Sequence, residues 1–250
     1  MTSEMQIDLN ADLGEGGDFD QQLLTLVSSA NISCGAHAGS ATDIRAALLT
    51  AKQYGVRTGA HPSYPDRNNM GRKVMAMTAK QLQLSLLEQL TSLQNLASEV
   101  SVAIRFVKPH GALYNQAARD LTLARQIADI IRSFDDSLTL VGLAGSQLLD
   151  AGREAGLDVC AEAFVDRAYQ ADGNLVPRAQ TGAVIEDTEQ AMQQALSIIT
   201  GQRVMANDGS QITISADTLC IHGDTPQALK FARTLHNRLN EAGIQIRACL

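Results

Sequence analysis

Through most of the chain, short apolar runs ending in polar residues alternate with longer stretches whose apolar positions fall three and four apart. The first kind suits strands of a parallel sheet, and the second suits helices that cross back over it. The expected fold class is therefore α/β. Strands are predicted over residues 7–11, 29–33, 57–60, 103–108, 138–142, 158–164 and 218–221. The clearest helical stripe starts near Thr78 and carries Leu82, Leu86, Leu90, Leu93 and Ala97. A second helix follows Asp43 and stops at Gly55, suited to a left-handed cap. A third follows Thr225-Pro226 and carries Leu229, Ala232, Leu235 and Leu239. Weaker helical patterns cover 121–133, 147–155 and 189–200. In 203–216 the pattern changes: Asn207-Asp208-Gly209 between two short β-prone runs signals a hairpin, read as an antiparallel insertion.

With no linker or repeat in its 250 residues, the chain reads as one (β/α) barrel domain spanning 1–250. Hydrophobic residues make up 45% and charged residues 19%, enough apolar surface for a core and too little charge for disorder. A net charge of −7 argues against nucleic acid and anionic lipid as partners. No signal peptide or membrane-length apolar run is present, so a cytoplasmic location is expected. Cys34, Cys160, Cys220 and Cys249 form no close pair in sequence and are expected as reduced, buried thiols.

Nearly every predicted strand runs out into unusual polar residues. The exits carry Asn10, Asp12 and Glu15; His37; His61; Lys108, His110 and Tyr114; Glu162 and Arg167; and His222 with Asp224. In a barrel of parallel strands these ends converge on one face, where active sites are assembled. Four of the five histidines thus point to one mouth. Beside Asp12, Glu15, Glu162 and Asp224 they suit proton transfer or metal-assisted hydrolysis. Singly, each histidine also reads as a buried, hydrogen-bonded residue; the shared placement is what favours chemistry. His236, inside the last helix, reads as a surface residue.

The catalytic candidates are Asp12, His37, His61, His110 and Glu162. One aspartate and two histidines, such as Asp12, His37 and His61, would hold a divalent metal such as zinc, with water completing the shell. Metal-free acid–base work uses the same residues, and both uses stay open. Cations near the mouth, Lys108, Arg167 and Arg178, suit an anionic substrate group, as do Arg67 and Arg72. For the arginines the competing use is a salt bridge or a solvated loop. Asn10, Tyr114 and His222 complete the expected substrate contacts. The loop 142–146 feeds a helix N-terminus and would suit an anion, but it matches no nucleotide fingerprint, so direct ATP binding has weak support.

The segments that carry these residues resemble the LamB/YcsF family: IDLNADLGE, SSANISCGAHAG, GAHPSYPDR with its following GR, VKPHGALYN, VGLAGS, FVDRAYQADGNLVPR with GAVI, and CIHGD. They run in order from Ile7 to Asp224. The resemblance implies a seven-stranded barrel like those of glycoside hydrolases and polysaccharide deacetylases. It also implies a part in ATP-dependent opening of 5-oxoproline to glutamate, with partner subunits B and C handling ATP. Two departures stand out. Ala36 and Ser40 replace a bulky apolar residue and an aspartate, and Met70 replaces an aromatic residue before Gly71-Arg72. An acid role at position 40 is therefore not expected.

The leading expectation is a lactam hydrolase subunit in which His37, His61 and His110 with Asp12 and Glu162 activate water, while Lys108 and Arg178 hold the substrate carboxylate. One alternative is a stand-alone metal-dependent deacetylase or amidohydrolase. The other is a non-catalytic regulatory subunit that docks on partner enzymes.

Overall fold

The computed structural model describes residues 5–221 and 226–249, and side chains at 226–228 are left aside. Seven parallel strands form the frame: β1 (Gln6–Leu13), β2 (Ser29–Ser33), β3 (Arg57–His61), β4 (Ile104–Val107), β5 (Thr139–Leu143), β6 (Val159–Phe164) and β9 (Thr218–Ile221). They pair in that order, and β9 returns to β1 with Asp8 opposite Thr218 and Ala11 opposite Ile221. The sheet therefore closes into the predicted seven-stranded barrel. The predicted insertion is an antiparallel pair, β7 (Arg203–Met205) and β8 (Gln211–Thr213). A two-residue strand that sequence patterning missed, β10 (Gln245–Ile246), pairs with the start of β1 outside the closed ring.

The helices wrap the outside: α1 (Asp20–Leu23), α2 (Ala41–Tyr54), α3 (Ala79–Glu99), α4 (Gly111–Ala117), α5 (Leu121–Phe134), α6 (Gln147–Glu154), α7 (Thr188–Ile199) and α8 (Pro226–Glu241). α3 buries the predicted leucine stripe, and Gln89 joins it. α2 starts in a capping box in which Ser40 and Asp43 exchange hydrogen bonds, and it ends at Gly55 with φ 67°. Serine and aspartate are both good N-caps, so the departure at position 40 leaves this helix start intact. The short helices α1 and α4 carry no periodic stripe long enough to be predicted. Among the described residues no helix is long and apolar enough to cross a membrane.

The odd-numbered positions of β1, Ile7, Leu9, Ala11 and Leu13, are buried among the helices. The even positions, Asp8, Asn10 and Asp12, bond instead to polar side chains of other strands. Asn10 Nδ2 donates to Thr218 Oγ1 at 2.7 Å, and Asn31 Nδ2 donates to Asn10 Oδ1 at 2.7 Å. Strand alternation thus lines the β1, β2 and β9 side of the barrel interior with a hydrogen-bonded polar column, while Phe106, Val141 and Cys160 form an apolar cluster on β4, β5 and β6. Gly59 leaves room for the Phe106 ring, which any Cβ at position 59 would overlap.

Two expectations are corrected. Cys160 on β6 and Cys249 near the C-terminus are joined as a disulfide, while Cys34 and Cys220 are free and buried. Their 89-residue separation hid the pair, because only barrel closure brings the tail beneath β6. His236 is half-buried, and its Nδ1 lies 3.0 Å from the Leu26 carbonyl, tying α8 to the chain after α1.

Candidate active site

The strand C-termini bring Asp12, His61 and Lys108 together, and the loops that follow add Glu15, His37 and His110. His61 Nε2 lies 3.3 Å from Asp12 Oδ2 and 2.9 Å from His110 Nδ1. His37 stacks on His110 with ring centroids 3.9 Å apart, and His37 Nε2 lies 2.9 Å from Glu15 Oε1. All three imidazoles are buried. Burial, helped by the neighbouring His61 and His37, pushes His110 down to about 3. Burial also depresses His37. For Asp12, burial works toward a higher value, but His61 and Lys108 hold its carboxyl well below the usual carboxylate range.

Lys108 lies beneath Asp12 and is 2% exposed. Its Nζ bonds Asp12 Oδ1 at 3.0 Å, Asn10 Oδ1 at 3.3 Å and Cys220 Sγ at 3.3 Å. It also forms an ion pair with Glu162 Oε1 at 2.7 Å. Burial disfavours the ammonium, yet Asp12 and Glu162 keep it protonated far above its ordinary range. Lys108 thus lines the cavity while its ammonium balances the Asp12 and Glu162 carboxylates. Glu162 is fully buried and accepts 2.6 Å from Tyr114 Oη, which burial and this carboxylate push upward.

Above this network opens a cavity of about 260 Å³, lined by Asp12, Glu15, His61, His110, Tyr114 and Arg178 among others. Arg178 is exposed at its edge, as is Arg119, which sequence reasoning passed over. Arg167 also lines the cavity, but its Nε and Nη2 donate to the carbonyls of Ala183 and Val176, so it fastens the 167–184 ribbon. Arg67 similarly holds the Gly35 and Gly39 carbonyls, whereas Arg72 lines the cavity. The loop 142–146 turns its amides inward: Ser146 N and Gln147 N donate to the Leu143 and Ala118 carbonyls. His222 and Asp224 lie outside the described residues.

Of the residues expected to hold a metal, Asp12 and His61 are adjacent, while His37 faces Glu15. Ligand atoms of Glu15, His37, His61 and His110 all lie within 4.8 Å of one another. Glu15 and His110 are the members that the sequence-based metal set left out. Gln89 was missed altogether: buried in the apolar stripe of α3, it accepts from Ser63 N and donates to Ser63 O, both at 2.9 Å.

A closed parallel barrel with carboxylates and imidazoles gathered at its strand C-termini defines an α/β-barrel protein, and the barrel fold is one that deacetylases also have. The T48 deacetylase solved with substrate shares that fold over 98% of this chain and 88% of its own (TM-score 0.52, 13% identity). Within the class, the chain belongs to the LamB/YcsF family, whose model matches residues 7–250. It is 49% identical over 243 residues to the 5-oxoprolinase A subunit of Neisseria meningitidis serogroup A, covering 97% of this chain and 99% of that one. The crystal structure of the lactam utilization protein from Thermus thermophilus superposes with a TM-score of 0.90 at 41% identity, covering 98% of this chain and all of that one.

Proposed function

We propose that this chain is the A subunit of an ATP-dependent 5-oxoprolinase, a hydrolase that opens the lactam of 5-oxo-L-proline to L-glutamate together with partner subunits B and C. The observation that carries this reading is the Asp12–His61–His110–Glu15 array opening on a cavity, in a chain 49% identical to a protein named for that activity. A lactam resists water because its nitrogen lone pair is delocalised into the carbonyl. Phosphorylating the carbonyl oxygen at ATP's expense on the partner subunits removes that resistance. Water then adds at the ring carbonyl carbon and the C–N bond breaks, the proton taken from water returning to the ring nitrogen; the product is an acyl phosphate, and a second water displaces inorganic phosphate from it to leave L-glutamate.

In this scheme the imidazole–carboxylate array orients and deprotonates the water. Arg178, at the cavity edge, takes the substrate carboxylate through its fork. Lys108 and Glu162, buried beneath, hold Asp12 and Tyr114 in place. The test is glutamate formation from 5-oxoproline and ATP by the purified chain, alone and mixed with B and C. Glutamate only in the full mixture is expected. Its absence, with partners shown to hydrolyse ATP, would overturn the reading.

A further inference from the structure

Hydrogen-bond polarity at the three histidines leaves a gap that side chains do not fill. A neutral imidazole has one N–H and one lone pair, and a carbonyl oxygen only accepts. His61 Nδ1 lies 2.7 Å from the Lys108 carbonyl, so it carries the hydrogen. His110 Nε2 lies 2.9 Å from the Met70 carbonyl and carries its hydrogen likewise. His37 Nδ1 lies 3.0 Å from Ser63 Oγ, whose own proton goes to the Tyr64 carbonyl at 2.8 Å. Ser63 Oγ must therefore accept, and His37 Nδ1 donates. Three lone pairs are thereby turned to one point: Nε2 of His37, Nε2 of His61 and Nδ1 of His110.

With the rings in these neutral forms, what they meet at that point are other acceptors. His61 Nε2 faces His110 Nδ1 at 2.9 Å and Asp12 Oδ2 at 3.3 Å. Glu15 Oε1 lies 2.9 Å from His37 Nε2 and 3.8 Å from His110 Nδ1. Buried lone pairs at such distances repel unless something positive lies among them. The Asp12 and Glu15 carboxylates thus lie against the imidazole cluster from two sides.

We infer that Glu15, His37, His61 and His110 form a binding site for one divalent transition-metal ion, with Asp12 beside it. Three imidazoles and a carboxylate suit zinc, cobalt, nickel or iron and fit magnesium or calcium poorly. Outer partners of the kind that metal-bound histidines have are present: the Lys108 and Met70 carbonyls and Ser63 Oγ each fix one ring. Gln89 in turn clamps Ser63 by both backbone groups. The replacement at Met70 leaves this intact, because only its carbonyl is used. When bound, such an ion supplies a polarising charge and lowers the pKa of a coordinated water.

The inference shares its site with the lactam reading, but its readouts are metal content and spectrum, so either can fail alone. The untagged full chain, purified without added metal, should retain about one equivalent of a transition metal by mass spectrometry. After chelation, cobalt(II) titration should restore one equivalent with visible d–d absorption that magnesium does not displace. His61→Gln should abolish that spectrum. Gln89→Met, which touches no ligand, should bind cobalt about 10–100-fold more weakly. Less than about a tenth of an equivalent, with no cobalt spectrum from protein that melts cooperatively, would overturn the site. Retention of magnesium alone would overturn the choice of metal class, and unchanged affinity in Gln89→Met would remove its outer-layer role.

Discussion

Glu162 Oε1 lies 2.7 Å from Lys108 Nζ in a part of the barrel where both side chains are buried. Removing one charge of such a pair leaves the other buried and uncompensated. Lys108→Met should lose about 3–5 kcal/mol of stability in urea titrations. The double variant with Glu162→Gln should recover part of that loss. Strict additivity of the two losses would show that the pair is not coupled.

His110 touches the cavity and both neighbouring imidazoles. In the reconstituted assay His110→Ala should lower glutamate formation by at least about 10²-fold, the range of a lost proton-handling group. Near-normal turnover from a folded variant would take this residue out of the mechanism.

Asp8, at the far end of the barrel interior, sits above its ordinary 3.8 because burial outweighs the hydroxyls of Ser28, Thr218 and Ser29 and the charge of Arg57. The native state therefore binds a proton more readily than the unfolded chain. Stability from this group is greatest below 3.8, falls as pH rises through the raised value, and leaves a constant penalty at neutral pH. Asp8→Asn keeps an oxygen to accept from Ser28 and Ser29, which both bond Oδ1. At pH 7 it should match or exceed the parent, by about 1.4 kcal/mol per unit of raised pKa. The two denaturation midpoints should converge on acidification, and a constant gap would contradict the assignment.

A methyl group at position 59 would overlap the Phe106 ring, which is packed against Val141 and Cys160. Gly59→Ala should cost at least about 1–3 kcal/mol, as overpacking does. Phe106→Leu in the same chain should restore much of it. An alanine variant that melts like the parent would mean that β3 and β4 are farther apart than described.

With Cys160 and Cys249 joined, alkylation of denatured, unreduced protein should label two cysteines, Cys34 and Cys220. Reductant should then lower stability by about 2–5 kcal/mol. Four labelled cysteines before reduction would show the pair to be open.

The strands and the mouth were legible because apolar runs ending in Asp12, His61 and Lys108 carry their own punctuation. Much of what organises the site left no mark of that kind. The groups that orient His61 and His110 are backbone carbonyls of Lys108 and Met70, and any residue type supplies a carbonyl. Gln89 sits inside a leucine stripe, where a lone polar residue reads as noise until its contact with Ser63 is seen. Arg167 misleads for the opposite reason: its charge suggests a ligand, whereas its partners are carbonyls of the neighbouring ribbon. Period-two polar positions in β1 and β2 were present in the sequence, but their partners across the barrel were not.

Closure of the barrel has a kinetic side. The hydrogen bond from Asn10 to Thr218 spans 208 residues, and it lies in the seam where the first strand meets the last of the ring. Contacts so distant in sequence form late and slowly, because the whole intervening chain must already be ordered around them. A nascent or truncated chain can therefore hold most of its helices and still lack a finished mouth. Asn10, whose amide bonds across that seam, would be among the last side chains to find its neighbours. A ligand gripping both sides of that seam would then act as a clasp, slowing unfolding more than it speeds folding.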